Sequence, residues 1–253
     1  MKKSLLAVAI ATTFLTGFAY ADDAKPEEAK PDNEVSYNAG LASDYRYRGI
    51  SQSRLDPALQ GGADYTNNPT GFYAGTWLST IQWTKDAGGG GNVEWDLYAG
   101  KKGEIVKDIT YDVGVLSYVY PSNGLGSVPG LVNANTTEIY GQIGLGPVYA
   151  KYSSSVTNLF GNPNSKNSGY LDLGASFELP DTYTLVVHAG HQMIKNNSAY
   201  SYTDFKVGVT KEFVGVSFTL AVIGTNANRS LYVTPSGNFT GKTSLVLTAV
   251  KTF

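Results

Sequence analysis

The sequence predicts an all-β fold, a transmembrane antiparallel β-barrel of about 12 strands with short periplasmic turns and longer extracellular loops. Three observations point there. Apolar and polar side chains alternate with period two in segment after segment, as they do where successive side chains face opposite sides of a sheet. The connections between these segments alternate between short and long, the habit of barrels with turns at one rim and loops at the other. The composition, with 29 Gly, 18 Tyr and no Cys in 253 residues, favours strands over helix and leaves no disulfide framework or structural Cys zinc site.

The chain opens on MKKSLLAVAIATTFLTGFAYA. Lys2 and Lys3 precede an apolar stretch, and Ala19 and Ala21 form a small-x-small site, so residues 1–21 read as a secretory signal peptide cleaved before Asp22. Without Lys2 and Lys3 there are 17 basic against 21 acidic residues, a net charge near −4 that argues against a nucleic-acid partner. No later run is long and apolar enough for a helical membrane span. Residues 22–33, DDAKPEEAKPDN, carry two imperfect copies of a unit rich in Pro and charge, and predict a disordered periplasmic linker. Residues 34–253 are then one barrel domain.

Twelve alternating segments follow, near residues 34–47, 56–66, 71–84, 92–101, 107–119, 136–145, 147–155, 168–179, 182–192, 202–211, 213–223 and 243–253. In VGVSFTLAV, Val214, Val216, Phe218, Leu220 and Val222 share one face and Gly215, Ser217, Thr219 and Ala221 the other. YLDLGASFEL repeats the pattern, with Leu171, Leu173, Ala175 and Phe177 opposed to Asp172, Gly174, Ser176 and Glu178. TNNPT, Gly146-Pro147, Pro180-Asp181 and Glu212-Phe213 are short turns, whereas PSNGLGSVPGLVNANT and GTNANRSLYVTPSGNFTG are long loops; GKKGEIVKD reads as a longer turn that departs from the rule. The last strand, TSLVLTAVKTF, ends on Phe253, which resembles the signal read by the outer-membrane assembly machinery. Lys251 faces lipid on this parity, at a rim position where its amine can snorkel to water.

The stretch SDYRYRGISQSRLDPALQGGADY sets charges among aromatics. Parity sends Val35, Tyr37, Ala39, Leu41 and Tyr45 outward and Asp44 and Arg46 inward, then Leu59, Ala63 and Tyr65 outward and Gln60 and Asp64 inward. Trp95, Tyr45, Tyr73 or its neighbour Phe72, and Tyr183 are expected in interfacial girdles. SDYRYRGISQS, with PALQGGADY, GFYAGTWLS, EWDLYAG, YDVGVLSYVYP, TEIYGQ, YLDLGASFELP and YTDFKVGVT, resembles the TorF-like family of outer-membrane porins of Gram-negative bacteria, over about residues 36–253. The resemblance implies a bacterial outer-membrane barrel with a transport role and supplies no catalytic residues.

The residues themselves offer little catalytic chemistry. The two histidines, His188 and His191, are three apart and fall on opposite faces of a strand, so they cannot chelate one metal; no cofactor is expected. No G-x-S-x-G elbow is present, and GLGSVPG lacks the strand-to-helix transition of a phosphate loop. The chain is therefore read as a non-enzyme. Its inner face collects nine carboxylates, Asp44, Asp64, Glu94, Asp96, Asp112, Glu138, Asp172, Glu178 and Asp204, against the bases Arg46, Lys151 and Lys206.

Twelve strands about 4.8 Å apart at a tilt of about 40° give a backbone diameter of roughly 24 Å and a lumen of about 10 Å. The function expected is a narrow porin for passive diffusion of ions or small hydrophilic solutes, with a weak cation preference. Asp44, Arg46, Asp64, Glu94, Asp96, Asp112, Glu138, Lys151, Asp172, Asp204 and Lys206 are its candidate pore-lining residues. A non-conducting scaffold that recruits periplasmic partners and a barrel-embedded hydrolase are the alternatives.

Overall fold

The computed structural model describes residues 31–253. The expected signal peptide and the linker up to residue 30 lie outside the described residues. In chain order the strands are β1 (Asn33–Ala42), the two-residue β2 (Arg46–Tyr47) and β3 (Ile50–Ser51), β4 (Ala58–Asn67), β5 (Phe72–Thr80), β6 (Val93–Val106), β7 (Ile109–Val119), β8 (Thr136–Leu145), β9 (Val148–Ser155), β10 (Gly169–Leu179), β11 (Tyr183–Met193), β12 (Tyr202–Phe213), β13 (Val216–Thr225) and β14 (Ser244–Thr252). A single helical turn, α1 (Trp83–Asp86), sits in the loop after β5. All strands except β2 and β3 form one closed antiparallel barrel of 12 strands, with β1 paired to β14 and to β4. The fold class is the one the alternation predicts.

The short turns lie at one rim and the long loops at the other. The start of β1 and the end of β14 are both at the short-turn rim: Asn33 pairs with Asn67, and the Phe253 N–H donates to Tyr37 O at 2.8 Å. GKKGEIVKD is a correction. It is not a longer turn, because β6 runs on for 14 residues through a register shift between Glu104 and Val106, leaving a tight turn at Lys107 and Asp108.

Parity holds along the walls. Val35, Leu59, Ile143, Leu220 and Leu245 are exposed on the outer face together with Trp95, Phe72 and Tyr183, forming an apolar belt far larger than a water-soluble monomer leaves uncovered. The inner face is crowded by tyrosines that lie over glycines of the next strand. Tyr140 covers Gly114, where a Cβ would stand 2.6 Å from the phenol oxygen, and Tyr98 covers Gly75 in the same way. The abundance of Gly and Tyr thus has one cause: a ring can lie flat against a neighbouring strand only where no side chain stands in its way. Tyr73 belongs to this inner set at 9% exposure, so Phe72 and not Tyr73 is the outward ring.

The first segment departs from expectation. It was expected to run to residue 47, but β1 stops at Ala42. Ser43 N–H donates to Leu247 O at 2.8 Å, and Leu247 N–H donates to Ser43 Oγ at 3.0 Å, so a side chain takes the place of the next backbone rung. Beyond this point the chain leaves the wall and turns into the barrel.

Candidate functional site

Residues 43–57 fold into the loop half of the lumen around the small β2–β3 hairpin, Arg46 opposite Ser51 and Tyr47 opposite Ile50. Arg48 and Gly49 occupy its tip, both at positive φ (46° and 78°). At Gly49 the loop touches the wall so closely that a Cβ would stand 2.7 Å from the Cβ of Asp204 and 2.4 Å from Thr225 Cγ2, so only glycine fits both the space and the backbone. Tyr45 corrects the girdle expectation: it lies inside at 3% exposure, edge-on to Trp77 and donating to Glu94 Oε1 at 2.5 Å.

Two arginines fasten the loop. Arg46 donates through Nε to Asp44 Oδ2 at 2.5 Å, through Nη1 to the carbonyls of Gly49, Thr240 and Lys242, and through Nη2 to Ser244 Oγ. Asp44 and Arg46 are therefore inside the barrel as expected, but on the in-folded loop and not on a wall. Arg48, absent from the sequence-derived candidates, reaches β8 and β11. It makes a two-pronged pair with Glu138 (3.1 and 2.7 Å) and donates to Gln192 Oε1 at 2.6 Å, with its guanidinium 4.0 Å from the centre of the Tyr170 ring. Loop bonds thus reach β6 on one side, β8 and β11 on another, and β14, spanning the lumen.

The wall candidates fall into two levels. Glu94, Asp96, Glu138, Asp172 and Asp204 are buried in the loop half, beneath and around loop 43–57. Glu94 accepts from Tyr45 and from Tyr120 at 2.8 Å. Asp172 and Asp204 hold His188 between them, at 2.8 Å from Nδ1 and 2.7 Å from Nε2, while Tyr149 and Tyr170 each donate to one of the two carboxylates. Nearer the turn rim, Asp64 accepts from Tyr98 and Asp112 from Tyr73, each at 2.6 Å. Lys151 stands between these levels with its amine 3.9 Å from the Tyr140 ring centre, and Lys206 lies opposite His188 in the β11–β12 register. Glu178 is exposed near the turn rim.

Lys102 is a further base, outside the sequence-derived candidates; its amine lies 5.5 Å from the centre of the inward Tyr73 ring. Its signal was available, since Lys102 has the parity of Glu94 and Asp96 but sits in the stretch read as a turn. Arg48 had no such signal, because its place depends on the loop path.

A cavity of about 140 Å³ lies under the loop, bounded by Arg48 and Tyr45 above, Asp96 and Glu138 on one side, and His188, Asp204 and Lys206 on the other. The arrangement can select by charge and size. General-base chemistry at His188 is poorly served, since both ring nitrogens face carboxylate oxygens and neither is left free to accept a proton. Among the described residues no group of three or more His, Cys, Asp or Glu is arranged to hold a metal ion. His191 is on the outer face, bonded to Thr203 Oγ1.

A family model described as "Bacterial protein of unknown function (Gcw_chp)" matches residues 26–253. No curated protein matches the chain by sequence. Among solved structures, the NanC porin is similar with a TM-score of 0.52 at 9% identity, covering 86% of this chain and 98% of its own. LpxR from Salmonella typhimurium gives 0.44 at 13% identity over 86% of this chain and 99% of its own. OprD from Pseudomonas aeruginosa gives 0.39 at 10%, over 87% of this chain and 66% of its own. At these identities the likeness is one of fold.

Proposed function

We propose that this chain, which belongs to the Gcw_chp family of bacterial proteins, is a narrow outer-membrane porin that passes ions or small hydrophilic solutes by passive diffusion. The observation that carries this reading is a closed barrel with an apolar outer belt, whose interior sets buried charged groups beside an aromatic cluster and is narrowed by loop 43–57 around a cavity of about 140 Å³. The apolar belt and the barrel similarity to the NanC porin support an outer-membrane location, and the TorF-like resemblance points the same way. On this reading residues 1–21 direct export, residues 22–33 are a periplasmic linker whose last residue, Asn33, already pairs with Asn67, the short turns face the periplasm, and the strand ending at Phe253 engages the assembly machinery.

The lumen favours cations weakly. Nine inward carboxylates face Arg46, Arg48, Lys102, Lys151 and Lys206, so the net field is negative but small. Planar-bilayer recording of the refolded full-length chain tests both statements. The expected result is a small unitary conductance with a reversal potential displaced toward cations in a salt gradient. Anion preference would overturn the selectivity. A folded barrel that never conducts, even with the Arg48 anchor removed, would favour the non-conducting scaffold.

A further inference from the structure

Asp96 is the inward carboxylate that the lumen network leaves out. It is 7% exposed, and its Oδ1 is buried with no hydrogen-bond partner. Its carboxylate neighbours are provided for: Glu94 accepts two tyrosine hydroxyls, and Glu138 takes the guanidinium of Arg48. Arg48 is itself used up by Glu138 and Gln192. A buried carboxylate oxygen without a donor costs several kcal/mol unless something supplies a proton or a positive charge.

The surroundings specify what would fit. Asp96 is paired across the sheet with Trp77 on β5 and with Tyr118 on β7, so an aromatic side chain stands on either side of it at the same level. Tyr45 packs edge-on against Trp77 from the loop, and Tyr98 lines the same cavity, whereas the Tyr140 ring is already covered by the Lys151 amine at 3.9 Å. The cavity also carries bases, of which Arg48 is held by Glu138 and His188 stands between Asp172 and Asp204. Asp96, flanked by Trp77 and Tyr118, suits an organic ammonium, whose charge meets the oxygen while its methyl or methylene groups lie on the rings. It suits a hard metal ion poorly, because calcium and magnesium require a shell of oxygen ligands. At about 140 Å³, the cavity is close to the ~150 Å³ that accommodates benzene in an apolar core, which sets the ligand at about six or seven heavy atoms.

We infer that the cavity beneath loop 43–57 is a binding site for a small organic ammonium compound, with Asp96 as the charge partner and Trp77 and Tyr118 as the flanking rings. The site is a binding property and does not depend on whether the barrel conducts.

Isothermal titration of the refolded full chain in detergent micelles, with choline chloride as the probe and 3,3-dimethylbutan-1-ol as its uncharged isostere, tests the inference. Choline is expected to bind saturably, and the isostere at least about tenfold more weakly. Asp96→Asn is expected to weaken choline by about thirtyfold or more, and Trp77→Leu by roughly three- to thirtyfold. The choline-to-isostere comparison uses the unaltered protein, so it decides the matter even where a variant does not fold. Absence of saturable choline binding, equal binding of the isostere, displacement of choline by sodium chloride at equal concentration, or a folded Asp96→Asn protein that binds as before would each overturn it.

Discussion

Arg48→Gln is the perturbation that bears most directly on the narrowed lumen. The guanidinium is buried, pairs with both oxygens of a Glu138 side chain that is itself 3% exposed, donates to Gln192, and lies against the Tyr170 and Tyr47 rings. Taking one partner from a buried ion pair costs about 3–5 kcal/mol, because the other charge remains in place. Movement of the loop away from the wall admits water to Glu138, so that cost falls on the in-folded arrangement and not on the open one. At about 1.4 kcal/mol per factor of ten, the equilibrium of the loop moves toward the open lumen by roughly two to three and a half orders of magnitude. Ordered water reaching Glu138 while the loop is still folded in returns part of this, so the open probability in single-channel recordings should rise at least about tenfold. Adding Glu138→Gln removes the stranded charge and should return most of the effect. A folded Arg48→Gln barrel with unchanged open probability and conductance would refute the assignment of Arg48 as an anchor that, beside Arg46, holds the loop in.

Three further outcomes follow from the same geometry. Converting Glu94→Gln together with Asp96→Asn should reduce or abolish the cation preference, and an unchanged reversal potential would rule these two out as the selectivity element. Gly114→Val puts a side chain where Tyr140 lies and should cost about 1–3 kcal/mol in urea unfolding from lipid vesicles, whereas Tyr140→Ala in the same background should recover part of it. Leu220→Arg, at an exposed outward position midway along β13, should destabilise the inserted barrel by about 2–4 kcal/mol in the same assay, while Lys251→Leu near the rim should change it by about 1 kcal/mol or less.

What the sequence determined alone is the wall. A period of two needs only neighbouring residues to be read, so the run from Val216 to Val222 or from Leu171 to Phe177 declares its faces without reference to any other strand, and loop lengths then say which rim is which. The inward set of Glu94, Asp96, Asp112, Glu138, Asp172 and Asp204 was legible for that reason. GKKGEIVKD looks like a turn in the sequence because glycine and charge also fill a strand that projects past the rim. What only the tertiary structure decided is the path of residues 43–57 and everything attached to it. Parity has no meaning once the chain leaves the sheet at Ser43, and the groups that hold Tyr45, Arg46 and Arg48 inside, namely Glu94, Ser244, Glu138 and Gln192, lie 49, 198, 90 and 144 residues away. The same holds for Asp96: alternation points it inward, but its lack of a donor arises only after every other lumen carboxylate has taken one, which is a property of the closed barrel and not of any strand in it.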